Sequence, residues 1–91
     1  MILSFADRDT RRLFSGEHVR RFQAFARVAY RHLHFLNAAE SLRDLRAAGH
    51  SLEKLTRDKA GQHAIRINDA YRICFVWKQG HAENVYIENY H

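Results

Sequence analysis

The spacing of the apolar residues changes once along this chain of 91 residues, and that change limits the fold more than any other feature. In the first half, apolar residues recur every three or four positions, the period of a helix with one buried face. From Leu52 onward they alternate with polar residues, as in a strand buried on one side. Proline is absent and only four glycines are scattered along the chain, so no linker is expected. The sequence therefore predicts one α+β domain over residues 1–91, with N-terminal helices packed on one face of a small antiparallel β-sheet.

Three helices are expected in the first half, after a short strand at residues 2–5. Asp7 or Asp9 can cap a short first helix. A longer helix follows, and its core-facing residues fall at spacings of three and four: Val19, Phe22, Ala26, Ala29, Leu33 and Leu36. A third helix is predicted over residues 41–48, with Gly49 as its C-cap residue.

The second half is expected to form four strands, at residues 52–55, 64–68, 71–78 and from 85 to the end of the sequence. Asn68 and Asp69 should form a tight hairpin turn, since both tolerate positive φ better than most residues. A second turn is centred on Gly80. Large apolar side chains mark the core side of the third strand: Tyr71, Ile73, Phe75 and Trp77. Arg66 and Arg72 are therefore predicted on the open face of the sheet.

The charge balance favours a polyanionic partner. The chain has 15 Lys and Arg against 10 Asp and Glu, a net charge of +5, and twelve of the 15 cations are Arg. A guanidinium binds phosphate through two hydrogen bonds and stacks on bases, so nucleic acid is favoured over an anionic membrane. The alternative is a surface that only keeps the protein soluble. Asp7 and Arg8 interrupt the apolar start, no stretch is apolar enough to span a membrane, and Cys74 is the single cysteine, so we expect a cytoplasmic protein.

Familiar cofactor and metal motifs are missing from the sequence. There is no glycine-rich phosphate loop, and His32 and His34 should project from nearly opposite sides of their helix, so neither a cofactor nor a metal is expected. Cys74 lies in mid-strand, where an inert buried thiol is a better interpretation than a nucleophile. The remaining candidates are cations near the sheet and the end of the sequence: Arg57, Lys59, Arg66 and Arg72 with Asn89, Tyr90 and His91.

These side chains suit the cleavage of RNA without a metal ion. The 2′-hydroxyl of RNA can attack the neighbouring phosphate, so an enzyme needs only to position it, stabilise the phosphorane charge and protonate the departing 5′-oxygen. Arg can stabilise that charge, and His, with an ordinary pKa of about 6.5, can transfer protons. The alternative is that the arginines serve solubility and that His91 is a frayed end.

Four segments of the sequence point to a family. They are the opening MILSF, the segment LNAA at residues 36–39 followed by Leu42 and Asp44-Leu45, the run GQHAIRINDAYRICF at residues 61–75, and the ending Tyr90-His91. Together they resemble the HigB toxins, also called plasmid-maintenance killer proteins, of the RelE/ParE superfamily. The resemblance covers essentially the whole chain and implies the RelE-like fold.

The resemblance implies the toxin of a type II toxin-antitoxin system that cuts mRNA on the ribosome and is neutralised by a HigA-type helix-turn-helix antitoxin. Arg72 would stabilise the scissile phosphate, Tyr90 would stack on a base or orient the phosphate, and His91 would donate or accept a proton. The RNA would be bound by Arg57, Lys59, Arg66 and Asn89.

Two positions depart from the family pattern. Some members have a catalytic lysine where this chain has Thr56 followed by Arg57, and some have an aspartate where this chain has Asn89, so the general base is left open. Two other functions remain: a ParE-like toxin that inhibits DNA gyrase, which the Tyr-His ending disfavours, and an inactive basic RNA-binding module. The sequence also leaves open whether the last strand brings Tyr90 and His91 to the same face as Arg72.

Overall fold

The computed structural model describes residues 1–47 and 51–90, with helices in the first half and a sheet in the second. The predicted α+β class is confirmed. Within these ranges the elements are α1 Arg8–Phe14, α2 Ala26–Ala38, α3 Leu42–Ala47, β1 Leu52–Lys54, β2 Gln62–Arg66, β3 Tyr71–Lys78 and β4 His81–Asn89. Two short 3-10 turns, Arg20–Phe22 and Arg57–Lys59, precede α2 and β2.

The described strands pair in sequence order, and each pair is antiparallel. The register aligns three buried residues across β2, β3 and β4, which are Ile65, Ile73 and Ile87. One residue away it aligns Arg66, Arg72 and Glu88. Since neighbouring residues of a strand point to opposite sides, this second row lies on the side away from the core, which we call the open face. The prediction that Arg66 and Arg72 lie there is confirmed.

The helices cover the other side of the sheet, mainly through the residues that the helical spacing predicted. Phe22, Leu33 and Leu36 are fully buried there. The predicted long helix is nevertheless interrupted, because α2 begins only at Ala26. Phe25 leaves the helical region, at φ −133° and ψ 17°, and its ring packs against that of Tyr71 with the centroids 4.4 Å apart. The chain thus turns at Phe25 to place an aromatic ring on the sheet.

The N-terminal residues differ from the predicted strand. Residues 2–5 form two isolated parallel bridges to β4, at Ile2 and Phe5, instead of a continuous strand. Between these bridges β4 is irregular, and the backbone N–H of Asn84 donates to Oγ of Ser4 at 2.9 Å. Asp7 caps α1 through a hydrogen bond from the N–H of Thr10, 2.6 Å long. Ala48 and Gly49, predicted to end the third helix, lie outside the described residues.

The two hairpin turns are built in different ways. The positive φ predicted for Asn68 and Asp69 is wrong. Instead, Oδ1 of Asn68 accepts hydrogen bonds from the N–H groups two and three residues on, at 2.9 and 2.8 Å, which closes a wider loop. Between β3 and β4, Gln79 and Gly80 have φ of 51° and 82°, as a two-residue hairpin turn requires. This turn lies where it was predicted.

A β-bulge in β4 decides which of its side chains reach the open face. β4 begins at His81, earlier than predicted, and its register against β3 shifts by one residue between Cys74 and Val76. Asn84, at φ 54°, lies in the bulge. Ala82 faces the core before the bulge, and the odd-numbered Val85 and Ile87 face it afterwards. The bulge therefore turns the even-numbered side chains beyond it, Tyr86 and Glu88, onto the open face.

Candidate active site on the open face of the sheet

Arg72 lies in the middle of the open face and is held by a carboxylate from the neighbouring strand. Its Nε and Nη2 atoms are both 2.7 Å from Oε2 of Glu88, and its Nη1 is 3.9 Å from Oε1 of Glu53. The Arg72 side chain is only 15% exposed. Burial alone would lower the pKa of Arg72, but the hydrogen bond to Glu88 raises it above its ordinary value. The guanidinium is therefore a permanent, fixed positive charge.

Lys59 supplies a second cation to the same place. It projects from the 3-10 turn before β2, and its Nζ lies 3.1 Å from Oε1 of Glu88 and 2.9 Å from the hydroxyl oxygen of Tyr86. The Tyr86 hydroxyl in turn donates to Oε1 of Gln62 at 3.0 Å. The hydrogen bonds with Tyr86 and Glu88 raise the pKa of Lys59. Lys59 therefore stays protonated and cannot serve as a base near neutral pH.

Tyr90 converges with Arg72, which the sequence had left open. Its ring lies 4.9 Å from Cζ of Arg72, a cation–π distance. Its backbone N–H donates to the carbonyl of Ala70 at 2.9 Å, and its hydroxyl donates to the carbonyl of Asn68 at 3.2 Å. The β2–β3 loop thus anchors Tyr90 at both ends, and the aromatic face lies beside the guanidinium.

The other predicted site residues do not all lie near Arg72, Lys59 and Tyr90. Arg66 is exposed and pairs in register with Arg72, and Arg57 is exposed at the start of the 3-10 turn. A cleft of about 340 Å³ is lined by residues 53–59 and by Arg72. Asn89 pairs in register with Tyr71, one residue out of phase with Arg72 and Glu88, so strand alternation directs it away from the open face. His91 lies outside the described residues.

Cys74 lies beneath these polar groups. It is free and fully buried, in a small apolar cluster with Leu55 and Ala64 against which Tyr86 packs. Burial raises the pKa of its thiol to about 11. The thiol is therefore protonated near neutral pH, and the predicted burial of Cys74 is confirmed.

Comparison with known proteins gives the family of this chain. A protein-family model described as the HigB-like toxin, a RelE-like toxin of type II toxin-antitoxin systems, matches residues 3–91. This chain is a HigB-like toxin. Toxin HigB-1 of Vibrio cholerae serotype O1 is 31% identical to it over 91 residues, which cover 97% of this chain and 96% of that protein. The resemblance read from the sequence is confirmed, and a type II family implies an antitoxin partner.

No group of three His, Cys, Asp or Glu in residues 1–47 and 51–90 is placed to hold a metal ion. Among the same residues, no helix is long and apolar enough to cross a membrane.

Sequence reasoning about the HigB-like toxin missed Glu88, Tyr86 and Glu53. A signal for the first two is present: they precede Tyr90 by two and four residues, the period of one strand face. In the strand predicted from residue 85, Val85 and Ile87 alternate with Tyr86 and Glu88, and this alternation alone assigns Tyr86 and Glu88 to the open face. Glu53 reaches Arg72 only across β2, a contact that no local pattern reveals.

Proposed function

We propose that this toxin is a ribosome-dependent endoribonuclease that cleaves mRNA during translation, through attack of a 2′-hydroxyl on the adjacent phosphodiester without a metal ion. The observation that supports it best is the convergence of Arg72, Lys59 and Tyr90 on the open face. Two permanent cations beside an exposed cleft suit the doubly charged phosphorane, and an aromatic face suits a base that leaves its stack.

Each described residue has a part in the proposed reaction. Arg72 stabilises the charge that builds on the phosphate, and Lys59 adds a second positive charge at the same carboxylate. Tyr90 stacks on a base or orients the phosphate. Arg57 and Arg66, both exposed, bind the RNA backbone. Asn89 binds RNA at the end of β4, on the side away from Arg72.

Proton transfer is assigned to His91, the terminal residue that the family resemblance points to. The Asn89 amide accepts no proton, Lys59 is held protonated, and the Cys74 thiol is buried. Thr56 is exposed at the cleft but is no base near neutral pH. With one efficient proton-transfer group, much of the rate enhancement comes from positioning the 2′-hydroxyl in line and from the fixed cations.

The proposed reaction also sets the partners and the compartment. The substrate is mRNA held by a translating ribosome, so the protein acts in the cytoplasm. The antitoxin that the family implies is proposed to be a HigA-type protein with a helix-turn-helix domain. A protein of that kind encoded by a neighbouring gene would support the pairing.

Primer extension on mRNA from cells that express the toxin tests the proposal. Wild type should produce cleavage within translated regions, and Arg72→Ala and the double variant Tyr90→Ala/His91→Ala should not. Lys78→Ala is the matched control, because Lys78 is an exposed cation on the same strand and the same face as Arg72, six residues away. It should cleave like wild type.

Purified ribosomes separate the alternatives. The wild-type protein should cut mRNA in a translating complex and leave the same RNA intact without ribosomes. Equal cleavage by the double variant and the wild type contradicts the proposed site. Inhibition of gyrase supercoiling with no mRNA cleavage would replace the proposal by a ParE-like activity. Salt-sensitive RNA binding without cleavage would leave only a binding module.

A further inference from the structure

Glu88 is a carboxylate with a different cation on each oxygen. Oε2 accepts from Nε and Nη2 of Arg72 at 2.7 Å, and Oε1 lies 3.1 Å from Nζ of Lys59. The three residues come from different elements, since Arg72 is on β3, Glu88 on β4 and Lys59 in the 3-10 turn before β2. One side chain therefore fixes the separation between two cations that are 13 residues apart in the sequence.

Both cations keep hydrogen-bond donors for a substrate. A guanidinium has five N–H groups, and Glu88 occupies one on Nε and one on Nη2, at the edge that faces β4. The Nη1 group lies 3.9 Å from Glu53, which is beyond hydrogen-bond distance, and the Glu53 side chain is 55% exposed. Lys59 has three N–H groups, with contacts to Glu88 and Tyr86. Arg72 and Lys59 line the same cleft.

The surroundings of Glu88 argue against a role as the general base. Burial alone would raise the pKa of Glu88, but the hydrogen bonds from Arg72 and Lys59 and their charges lower it below the ordinary value. A carboxylate whose two oxygens are both bound to cations is a weak proton acceptor.

The position of Glu88 also argues against a latch that blocks the site. Glu88 is the direct cross-strand partner of Arg72, so its backbone is fixed beside the guanidinium by the β3–β4 ladder. Its side chain is 20% exposed, and Glu88 is not among the residues that line the cleft, which are residues 53–59 and Arg72. An RNA phosphate in the cleft would not need to displace it.

We propose that Glu88 is a positioning residue of the cleavage reaction, which holds Arg72 and Lys59 so that their remaining N–H groups face one phosphodiester. This inference rests on the proposed nuclease function. It gives Glu88 a structural part in the reaction, while proton transfer stays with another group.

Single-turnover cleavage of ribosome-bound mRNA tests the role of Glu88. Glu88→Gln keeps the size of the side chain and removes its charge, and it should lower the cleavage rate constant about 10- to 100-fold, the effect of a small misplacement of catalytic groups. The toxin concentration that gives half the maximal rate should change little, because ribosome docking is intact. Glu88→Asp keeps the charge on a shorter side chain and should recover part of the rate. Glu83→Gln, a carboxylate of the same strand on the other side of the bulge, is the control and should cleave like wild type.

The NMR signal of the Arg72 Nε–H provides a readout that does not depend on activity. In wild type and Glu83→Gln this proton should be protected from exchange with water, and in Glu88→Gln the protection should be lost while the backbone spectrum stays that of a folded protein. If wild type does not cleave but this pattern is seen, the proposed function fails and the positioning of Arg72 stands. If wild type cleaves and Glu88→Gln cleaves equally fast or faster, the positioning role is overturned and the nuclease function stands. An unprotected Arg72 Nε–H in wild type overturns it as well.

Discussion

Replacing Asn84 by valine should lower the free energy of unfolding by about 2 kcal/mol, whereas replacing it by glycine should leave the free energy nearly unchanged. Asn84 has φ of 54° in the β4 bulge, and its side chain is exposed. The left-handed region costs an L-residue about 1–2 kcal/mol, and a β-branched side chain tolerates it worst. The hydrogen bond from the Asn84 N–H to Ser4 is made by the backbone, so it survives both substitutions.

Urea unfolding followed by far-ultraviolet circular dichroism measures this difference. A domain of this length is expected to have a stability of roughly 5 to 14 kcal/mol, so a loss of about 2 kcal/mol leaves a measurable folded state. It should also lower the Tm by roughly 8 to 16 °C. A valine variant as stable as wild type would show that φ at this position is unimportant. A glycine variant as unstable as the valine variant would assign the effect to the lost Asn side chain instead.

Deletion of Asn84 is a harsher test of the same reasoning. Without the extra residue, either Val85 and Ile87 leave the core or the register with β3 breaks. Both outcomes expose large apolar groups, so we expect no cooperative unfolding transition for the deletion variant. A deletion variant that is folded and still cleaves mRNA would contradict the bulge as the feature that turns Glu88 and Tyr90 toward Arg72.

Three further predictions concern stability and pH. Phe75→Ala should lower the free energy of unfolding by about 3–5 kcal/mol, measured by urea denaturation, because the ring is fully buried; a loss below about 1 kcal/mol would contradict that burial. The pKa of Glu88 is lower in the folded state than its ordinary value of 4.5, which applies to the unfolded chain. The contribution of Glu88 to stability is therefore present above that unfolded-state pKa and is lost as the pH falls through the folded-state pKa. Below that unfolded value, the free energy of unfolding of wild type should therefore fall more steeply than that of Glu88→Gln, and parallel pH curves would refute the ion pair. In single-turnover cleavage, an inflection at about pH 6.5 should be present in wild type and absent in His91→Gln, and its persistence in the variant would assign the proton transfer to another group.

The class of the fold could be predicted from the sequence because the period of the apolar residues reports one-sided burial. Ile73 and Phe75 are fully buried, and Arg72 between them is on the other side, as alternation in a central strand requires. The same alternation predicts that Arg66 and Arg72 lie on one face. That prediction is correct because β3 pairs with β2 without a bulge.

Two of the features that were missed depend on contacts between distant parts of the chain. The Asn84 bulge is supported by Ser4, 80 residues away in the sequence, and the break before α2 accompanies the contact of Phe25 with Tyr71. Asn68 closes its loop with its side chain, although the sequence pattern suggested a left-handed backbone. Tertiary contacts decide the conformation in the first two cases, and a local side-chain hydrogen bond decides it at Asn68.

The geometry around Arg72 divides the work of the proposed reaction between two kinds of group. Arg72 and Lys59 have raised pKa values and Glu88 a lowered one, so all three keep their charges around neutral pH. Such groups can bind a phosphate and stabilise a phosphorane, but they exchange no proton during turnover. The burial of Cys74 removes the thiol from the same task. A 2′-hydroxyl must still lose a proton and a 5′-oxygen must gain one, so the proton transfer has to come from a group that titrates near neutrality. In the sequence beside Tyr90, His91 is the residue with that property.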